Sequence, residues 1–212
     1  MFNFSSKTIV ERKFKITDLY KQMSASKEAR KDGTMIESIV LKNVLSPSTL
    51  YCNEDKSIKE IYVFEITVKE RYVPETFIKE LDKSIKLHTL FNIKHEDYKL
   101  SMISYKSGTQ KGKYWQTNWE NNAPLDVPLI SSIPDLYKYI LSKFLTYSPF
   151  DDETVDEYIK RHNMLTKLDF QISKTESAIA HESQSKKRFE YNARLKEYKA
   201  ERERFLREGH NE

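Results

Sequence analysis

The clearest hydrophobic pattern in this sequence lies after Pro149, where the chain has no further proline and no glycine until Gly209. Apolar residues recur there three or four positions apart, which is the spacing of one stripe along an α-helix. Charged residues flank the stripe on both sides, so the pattern indicates a coiled-coil seam that holds a partner helix. The predicted partner-binding residues are Val155, Ile159, Leu165, Leu168, Ile172, Leu195, Tyr198 and Phe205.

Polar residues interrupt this stripe between His181 and Lys186. A single rod through this stretch would be about 80 Å long at about 1.5 Å per residue. The alternative is a pair of antiparallel helices, in which serines and other polar residues suit the tight connection and each stripe covers the other. We therefore predict a helical hairpin, or coiled-coil arm, over residues 150–208 and a disordered tail at residues 209–212.

The first 149 residues combine strand and helix patterns. Strands are predicted at residues 9–16, 35–45, 60–69, 87–94, 98–106 and 114–119, and helices at residues 17–31, 77–85 and 136–145. Short connections between the last three strands predict an antiparallel meander. Helices before, between and after the strands predict an α+β globular domain over residues 1–149, with an antiparallel or mixed sheet and packing helices.

The segment at residues 60–69 has the richest β pattern. Its predicted core face is Tyr62, Phe64, Ile66 and Val68, and its second face is Ile61, Val63 and Glu65.

Composition narrows the functional classes only a little. The net charge is +4, and the surplus lies in the first 150 residues, with 23 Lys or Arg against 18 Asp or Glu. Such a surplus permits nucleic-acid contact without requiring it. The single cysteine, Cys52, excludes an intramolecular disulfide and a cysteine-based zinc site. No signal-peptide pattern and no membrane-length apolar run occurs, so we expect a cytoplasmic protein without membrane contact.

Two basic clusters are candidate nucleic-acid contacts. Residues 99–119 contain lysines and aromatic residues without any acidic residue, a combination found in single-strand binders. The predicted contacts there are Lys106, Lys111, Lys113, Tyr114, Trp115 and Trp119. The alternative is that the aromatic rings are core and the lysines are solvated. The second cluster, Lys186, Lys187 and Arg188, falls near the hairpin tip, where it either contacts phosphates or is simply a solvated face.

No catalytic or metal-binding constellation stands out. A restriction-type nuclease needs an Asp and a following Glu-x-Lys. Glu11-Arg12-Lys13 has no preceding Asp, and Glu65 lies four residues from Lys69. The five histidines lack metal-ligand spacing, and four glycines offer no phosphate loop. We predict no catalytic residue, metal or cofactor, and keep a metal-dependent nuclease or nuclease-like domain as the alternative.

Several segments of the chain resemble a known family. They are Val44-Leu45-Ser46-Pro47-Ser48-Thr49, Ile58-Lys59-Glu60-Ile61-Tyr62-Val63-Phe64, Leu81-Asp82-Lys83-Ser84-Ile85, Leu90-Phe91, Ser104-Tyr105-Lys106, and Glu182 with Lys186-Lys187-Arg188-Phe189-Glu190-Tyr191-Asn192 and Leu195-Lys196. Their order and spacing resemble the bacterial domain-of-unknown-function family numbered 4391 over nearly the whole chain. One departure is Lys86-Leu87, where the family tends to have Ile-Pro.

The resemblance transfers no catalytic residue. It implies a gene context of helicases and DNA methyltransferases in mobile or antiphage defence clusters. Together with the coiled-coil arm, it leads us to expect a non-enzymatic accessory subunit. The arm is predicted to dock onto a larger partner, a helicase or a methyltransferase-containing complex, with DNA or RNA contact. A third class, a homo-oligomeric structural protein whose arms pair with each other, is also open.

Overall fold

The structure, a computed structural model, describes residues 2–55, 57–106 and 112–207. The chain divides into two compact units, Met1–Phe144 and Leu145–Glu212. The first unit therefore ends five residues before the boundary predicted at residue 149. The tail predicted to be disordered, residues 209–212, lies outside the described residues.

A mixed sheet is the centre of the first unit. The strands are β1 (Phe2–Asn3), β2 (Ile9–Phe14), β3 (Ile36–Leu45), β4 (Ile61–Val68), β5 (His88–His95), β6 (Tyr98–Tyr105), β7 (Lys113–Gln116) and β8 (Leu125–Asp126). Strands β2 to β7 form one sheet in chain order, and β1 pairs with β8 in a small separate sheet. Within the large sheet β4 and β5 run parallel, and the other neighbouring pairs are antiparallel. The predicted α+β class and the antiparallel meander are confirmed.

Strand β4 is buried on both faces, which differs from the one-sided core predicted for it. Phe64, Ile66 and Val68 on the predicted core face are buried, but Ile61 and Val63 on the second face are fully buried as well. The second face is covered because His88, the β5 neighbour of Ile61, contacts the ring of Tyr137 at a centroid distance of 4.8 Å. Helices therefore lie against both faces of the sheet.

The helices of the first unit are α1 (Ile16–Gln22), α2 (Lys27–Gly33), α3 (Pro47–Leu50), α4 (Glu75–Ser84) and α5 (Ile133–Leu141). The single helix predicted at residues 17–31 is thus wrong, because the chain turns between α1 and α2. Ser24 has a φ of 50° there. Ser26 then starts α2, since its hydroxyl accepts a hydrogen bond from the Ala29 N–H at 3.1 Å.

Helix α4 begins without a local side-chain cap, and a distant residue supplies one. The carboxylate of Asp32, at the end of α2, accepts hydrogen bonds from the Thr76 N–H at 2.8 Å and the Phe77 N–H at 3.2 Å. The hydroxyl of Tyr72 donates to the other carboxylate oxygen. Because free N–H groups and the positive end of the helix dipole both favour an anion, Asp32 fixes α4 against α2.

The second unit is a hairpin of two long helices, α6 (Val155–His181) and α7 (Ser185–Arg207). Thr154 and Glu157 form a capping box at the start of α6. Residues 182–184 connect the helices, and ion pairs from Lys199 to Glu176 and from Arg202 to Asp169, each at 2.7 Å, show that α7 runs back along α6. The predicted antiparallel helical hairpin is confirmed.

Candidate functional site

The lysine-aromatic meander places its residues in different environments. The rings of Tyr114 and Trp119 pack, partly buried, against the main hydrophobic core. Trp115 is also partly buried, and Lys113 is exposed at the start of β7. Lys111 lies outside the described residues. The rings of Tyr114 and Trp119 thus serve packing, which is the alternative that the sequence left open for them.

Asp82 is the centre of a buried polar network that joins α4 to three strands. Its side chain is buried, with an exposed fraction of 1%. One carboxylate oxygen accepts hydrogen bonds from the hydroxyls of Thr89 on β5 and Ser104 on β6, the latter at 2.9 Å. The other accepts one from the Tyr114 hydroxyl at 2.8 Å. These neutral donors provide only part of the compensation that a buried carboxylate requires.

Lys106 supplies the opposite charge. Its ammonium lies 2.8 Å from the Asp82 carboxylate. It also donates to the main-chain carbonyls of Asp82, Ile85 and Leu87 at 2.8, 2.8 and 2.9 Å. The carbonyls of Asp82 and Ile85 lie at the carboxyl end of α4, where the negative end of the helix dipole favours a cation, and Leu87 follows just beyond it. Lys106 therefore both neutralises Asp82 and caps α4.

Electrostatics within this network reflect its burial. Burial, followed by the charge of Asp82, raises the pKa of Tyr114. The same two causes, in the same order, hold the pKa of the fully buried Tyr137 well above its ordinary value. Both phenols are therefore hydrogen-bond donors at neutral pH, and Tyr137 donates to the carbonyl of Ser104. The network is closed and fully paired, so it stabilises the first unit.

Sequence reasoning named Lys106 and Tyr114 as nucleic-acid contacts and did not identify Asp82. In the structure both side chains point to Asp82, so neither presents its polar group to a phosphate. The family resemblance was the one sequence signal for this network, because Asp82, Ser104 and Lys106 all lie in segments that resemble the family. A contact across 24 positions of sequence cannot be read from local charge patterns.

The basic cluster at the hairpin tip has a different character. Lys186, Lys187 and Arg188 lie in the first turn of α7, and all three are exposed. Phe189 follows directly and is 76% exposed. Three adjacent cations beside an exposed ring provide the elements used to bind a nucleic-acid backbone and to stack a base. The structure thus brings together the tip residues that the sequence predicted and adds Phe189.

The predicted partner-binding stripe divides into two groups. Val155, Ile159, Leu165 and Leu168, on the first half of α6, are at most 7% exposed. They are therefore unavailable to a partner in this conformation. Ile172, Leu195, Tyr198 and Phe205 are partly buried, and α7 has no fully buried residue. Only this second group leaves apolar surface open.

A polar network fixes the far end of α7. The Arg202 guanidinium donates to Asp169 of α6 at 2.7 Å and to the Tyr147 hydroxyl at 3.4 Å, and Tyr147 donates to Asp169. Partial burial acts against ionisation of Asp169, but hydrogen bonds from Tyr147 and Arg202 hold its pKa below the ordinary value. A polar clasp formed by Tyr147, Asp169 and Arg202 thus holds α7, which has no fully buried side chain of its own.

No group of three His, Cys, Asp or Glu side chains is positioned to hold a metal ion within residues 2–55, 57–106 and 112–207. The two carboxylates considered for a nuclease are ion-paired across the sheet, Glu11 with Lys42 and Glu65 with Lys94, the latter at 3.2 Å. The hydrogen bond from Lys42 lowers the pKa of Glu11. Across the same residues, no helix is both long enough and apolar enough to cross a bilayer.

These features define an α+β domain with a buried Asp82–Lys106 pair, followed by an α-helical hairpin with an open face. The chain belongs to the family described as "Domain of unknown function (DUF4391)", whose model matches residues 2–201. That match covers both units and confirms the family resemblance. Comparisons with curated proteins and with solved structures returned no match.

Proposed function

We propose that this chain is a non-enzymatic accessory subunit that assembles with a larger protein through its α6–α7 hairpin. In the proposal the partner is a helicase, or a methyltransferase-containing complex, that processes DNA in bacterial antiphage defence. The hairpin tip contacts nucleic acid held by that partner. The genomic part of the proposal follows from the family resemblance.

The observation that supports an assembly role is the exposure of α7. This helix has 23 residues and no buried side chain. Burial of apolar surface is the main source of folding free energy, so a helix with so little of it adds little to its own core. A long, charged helix held by a polar clasp and a partly buried stripe is therefore better explained as a surface for binding.

Site-specific photo-crosslinking tests this proposal without deleting any part of the chain. A photoreactive phenylalanine analogue is placed at Ala193 on α7 and, as the control, at Lys83 in the first unit; both positions are exposed. The probe is a purified helicase, the partner that the proposal names. We expect a crosslink from position 193 and none from position 83. No crosslink from position 193, in a mixture that co-elutes as a complex, would contradict docking through the hairpin.

The contact with nucleic acid has its own test. Lys186, Lys187 and Arg188 are replaced by Glu together, and labelled single-stranded DNA or RNA is titrated in a fluorescence anisotropy assay. The matched control reverses three other exposed cations, Lys13, Lys83 and Lys196. We expect the tip variant alone to lose affinity, by about tenfold or more at low salt, because phosphate contacts dominate non-specific binding. Equal losses in both variants would indicate only a general effect of net charge.

A further inference from the structure

A groove of about 460 Å³ lies between α6 and α7 on one face of the hairpin. Aromatic side chains line it, namely Phe170 from α6 and Tyr191 and Tyr198 from α7. Phe170 is 67% exposed, whereas the two tyrosines are partly buried. Two packed helices leave such a groove wherever a third helix would complete a bundle, and exposed aromatic surface there favours an apolar occupant.

The rim of the groove carries one sign of charge. Lys167 and Lys174 on α6 and Arg194 on α7 line it, and its lining contains no Asp or Glu. All three cations are exposed, and none forms an ion pair with another described residue. Other cations of the hairpin, such as Lys199 and Arg202, are paired. The groove thus combines an apolar floor with unpaired positive charges.

From this combination we infer that the groove binds an amphipathic α-helix of a partner protein, with an apolar stripe and acidic flanks. The inference rests on the proposed assembly role and names the chemistry of the partner. The groove extends from residue 167 to residue 178 of α6, which corresponds to about 16 Å of helix, or three turns. Such a length suits recognition of a helix by residues one and two turns apart.

The charge of the hairpin disfavours a second copy of this chain as the occupant. Helix α7 carries nine Lys or Arg against four Glu, and α6 carries four of each sign. Neither helix has the acidic excess that the groove would attract. Single-stranded nucleic acid also binds to cations that lie beside aromatic rings, so single-stranded DNA is tested as a competing probe.

Designed helices provide the probes for a direct test on the full chain. The first is a fluorescent, stapled helix of about 14 residues with a leucine stripe flanked by glutamates, long enough for the three-turn groove. The second is the same helix with lysines in place of the glutamates, and the third is single-stranded DNA of similar length. Anisotropy is measured for the wild-type chain and for a triple variant, Lys167→Glu, Lys174→Glu and Arg194→Glu. The matched control reverses Lys13, Lys83 and Lys196, which lie outside the groove lining.

We expect the wild-type chain to bind the acidic helix and the triple variant to bind it at least tenfold more weakly. The triple variant should gain affinity for the lysine helix, a reversal that no loss of folding could produce. Binding of the acidic helix should also weaken with added salt. Circular dichroism at 222 nm checks that the variant keeps its helices.

Three outcomes would overturn the inference. In the first, the wild-type chain and the triple variant bind the acidic helix equally. In the second, the wild-type chain binds DNA in preference to the acidic helix and the triple variant loses this binding. In the third, light scattering shows a dimer of the wild-type chain that the triple variant does not form. The crosslink from position 193 to the helicase is independent of these outcomes. A positive crosslink with a failed helix titration would leave the assembly role intact and remove only the groove as its site.

Discussion

Replacing Lys106 should destabilise the first unit far more than its position just after β6 suggests. Lys106→Met keeps the apolar stem of the side chain and removes the charge. The Asp82 carboxylate would then be buried with hydroxyl partners alone. The carbonyls of Asp82, Ile85 and Leu87 would lose the ammonium as a donor, and of these Asp82 keeps the Ile85 N–H. Breaking a buried ion pair on one side costs about 3 to 5 kcal/mol. Because the Lys106 side chain retains 21% of its exposure, we expect the lower value, about 3 kcal/mol.

The two tryptophans of the chain allow this loss to be measured in the first unit. Trp115 and Trp119 both follow β6, and Trp119 contacts the main core. Their fluorescence therefore reports unfolding of the first unit during a urea titration. With a slope of about 2 kcal/mol per molar urea, a loss of about 3 kcal/mol moves the midpoint down by about 1.5 M.

A control variant and a double variant test this role of Lys106. Lys83→Met removes an exposed lysine from the same helix end and should change stability by no more than about 0.5 kcal/mol. Combining Lys106→Met with Asp82→Asn removes both charges, so the double variant should lose less than the sum of the single losses. If Lys106→Met unfolds at the same urea concentration as Lys83→Met, or if the two losses simply add, the buried pair does not have the role assigned to it.

Three further predictions concern the helices. Thr154→Ala should lower the free energy of unfolding by about 1 kcal/mol, because it removes the side-chain acceptor of the α6 capping box. The thermal midpoint, followed by circular dichroism at 222 nm, measures this loss. An unchanged midpoint would contradict the prediction. Arg202→Gln should increase amide hydrogen exchange in α7 relative to α6. Asp169 has a lower pKa in the folded chain than in the unfolded chain. Its contribution to stability is therefore complete above the unfolded pKa of about 4 and is lost as the pH falls through the folded pKa. Amide hydrogens of wild-type α7 should lose protection from exchange over that lower pH range. Gly33→Ala should cost about 1 to 3 kcal/mol by urea titration, since the added Cβ would overlap the Tyr20 ring and hydroxyl. A neutral result would contradict this and show that the ring moves aside freely.

Elements with a clear hydrophobic period could be predicted from the sequence. The strands β3 to β6 and the hairpin follow from alternation and from the three-four spacing, because these patterns report which faces are buried. The short strands β1 and β8 could not be predicted, because a segment of two residues is too short to show an alternation of apolar and polar positions. The break between α1 and α2 was also missed, because it depends on a left-handed Ser24 and on Glu80, whose carboxylate accepts from the Ser26 N–H at 3.0 Å.

Charged residues were harder to interpret than apolar ones. A lysine in an acid-free stretch predicts a free cation, yet Lys106 is paired with Asp82, which lies in another segment of the chain. Likewise Asp32 acts as the cap of α4 from 44 positions away. Such roles depend on tertiary contacts between distant residues, so no window of sequence contains them.

Whether a charged residue is paired within the fold indicates where function should be sought in this chain. Asp82 and Lys106 satisfy each other, so their presence is explained by the stability of the fold alone. Lys174 and Arg194 have no such partner among the described residues, and they lie beside an exposed Phe170. Exposed apolar surface adds nothing to folding and favours association, so the open Phe170 ring beside these cations indicates a binding partner. An acidic helix bound in the groove would provide one, because it would pair the cations and cover the ring at the same time.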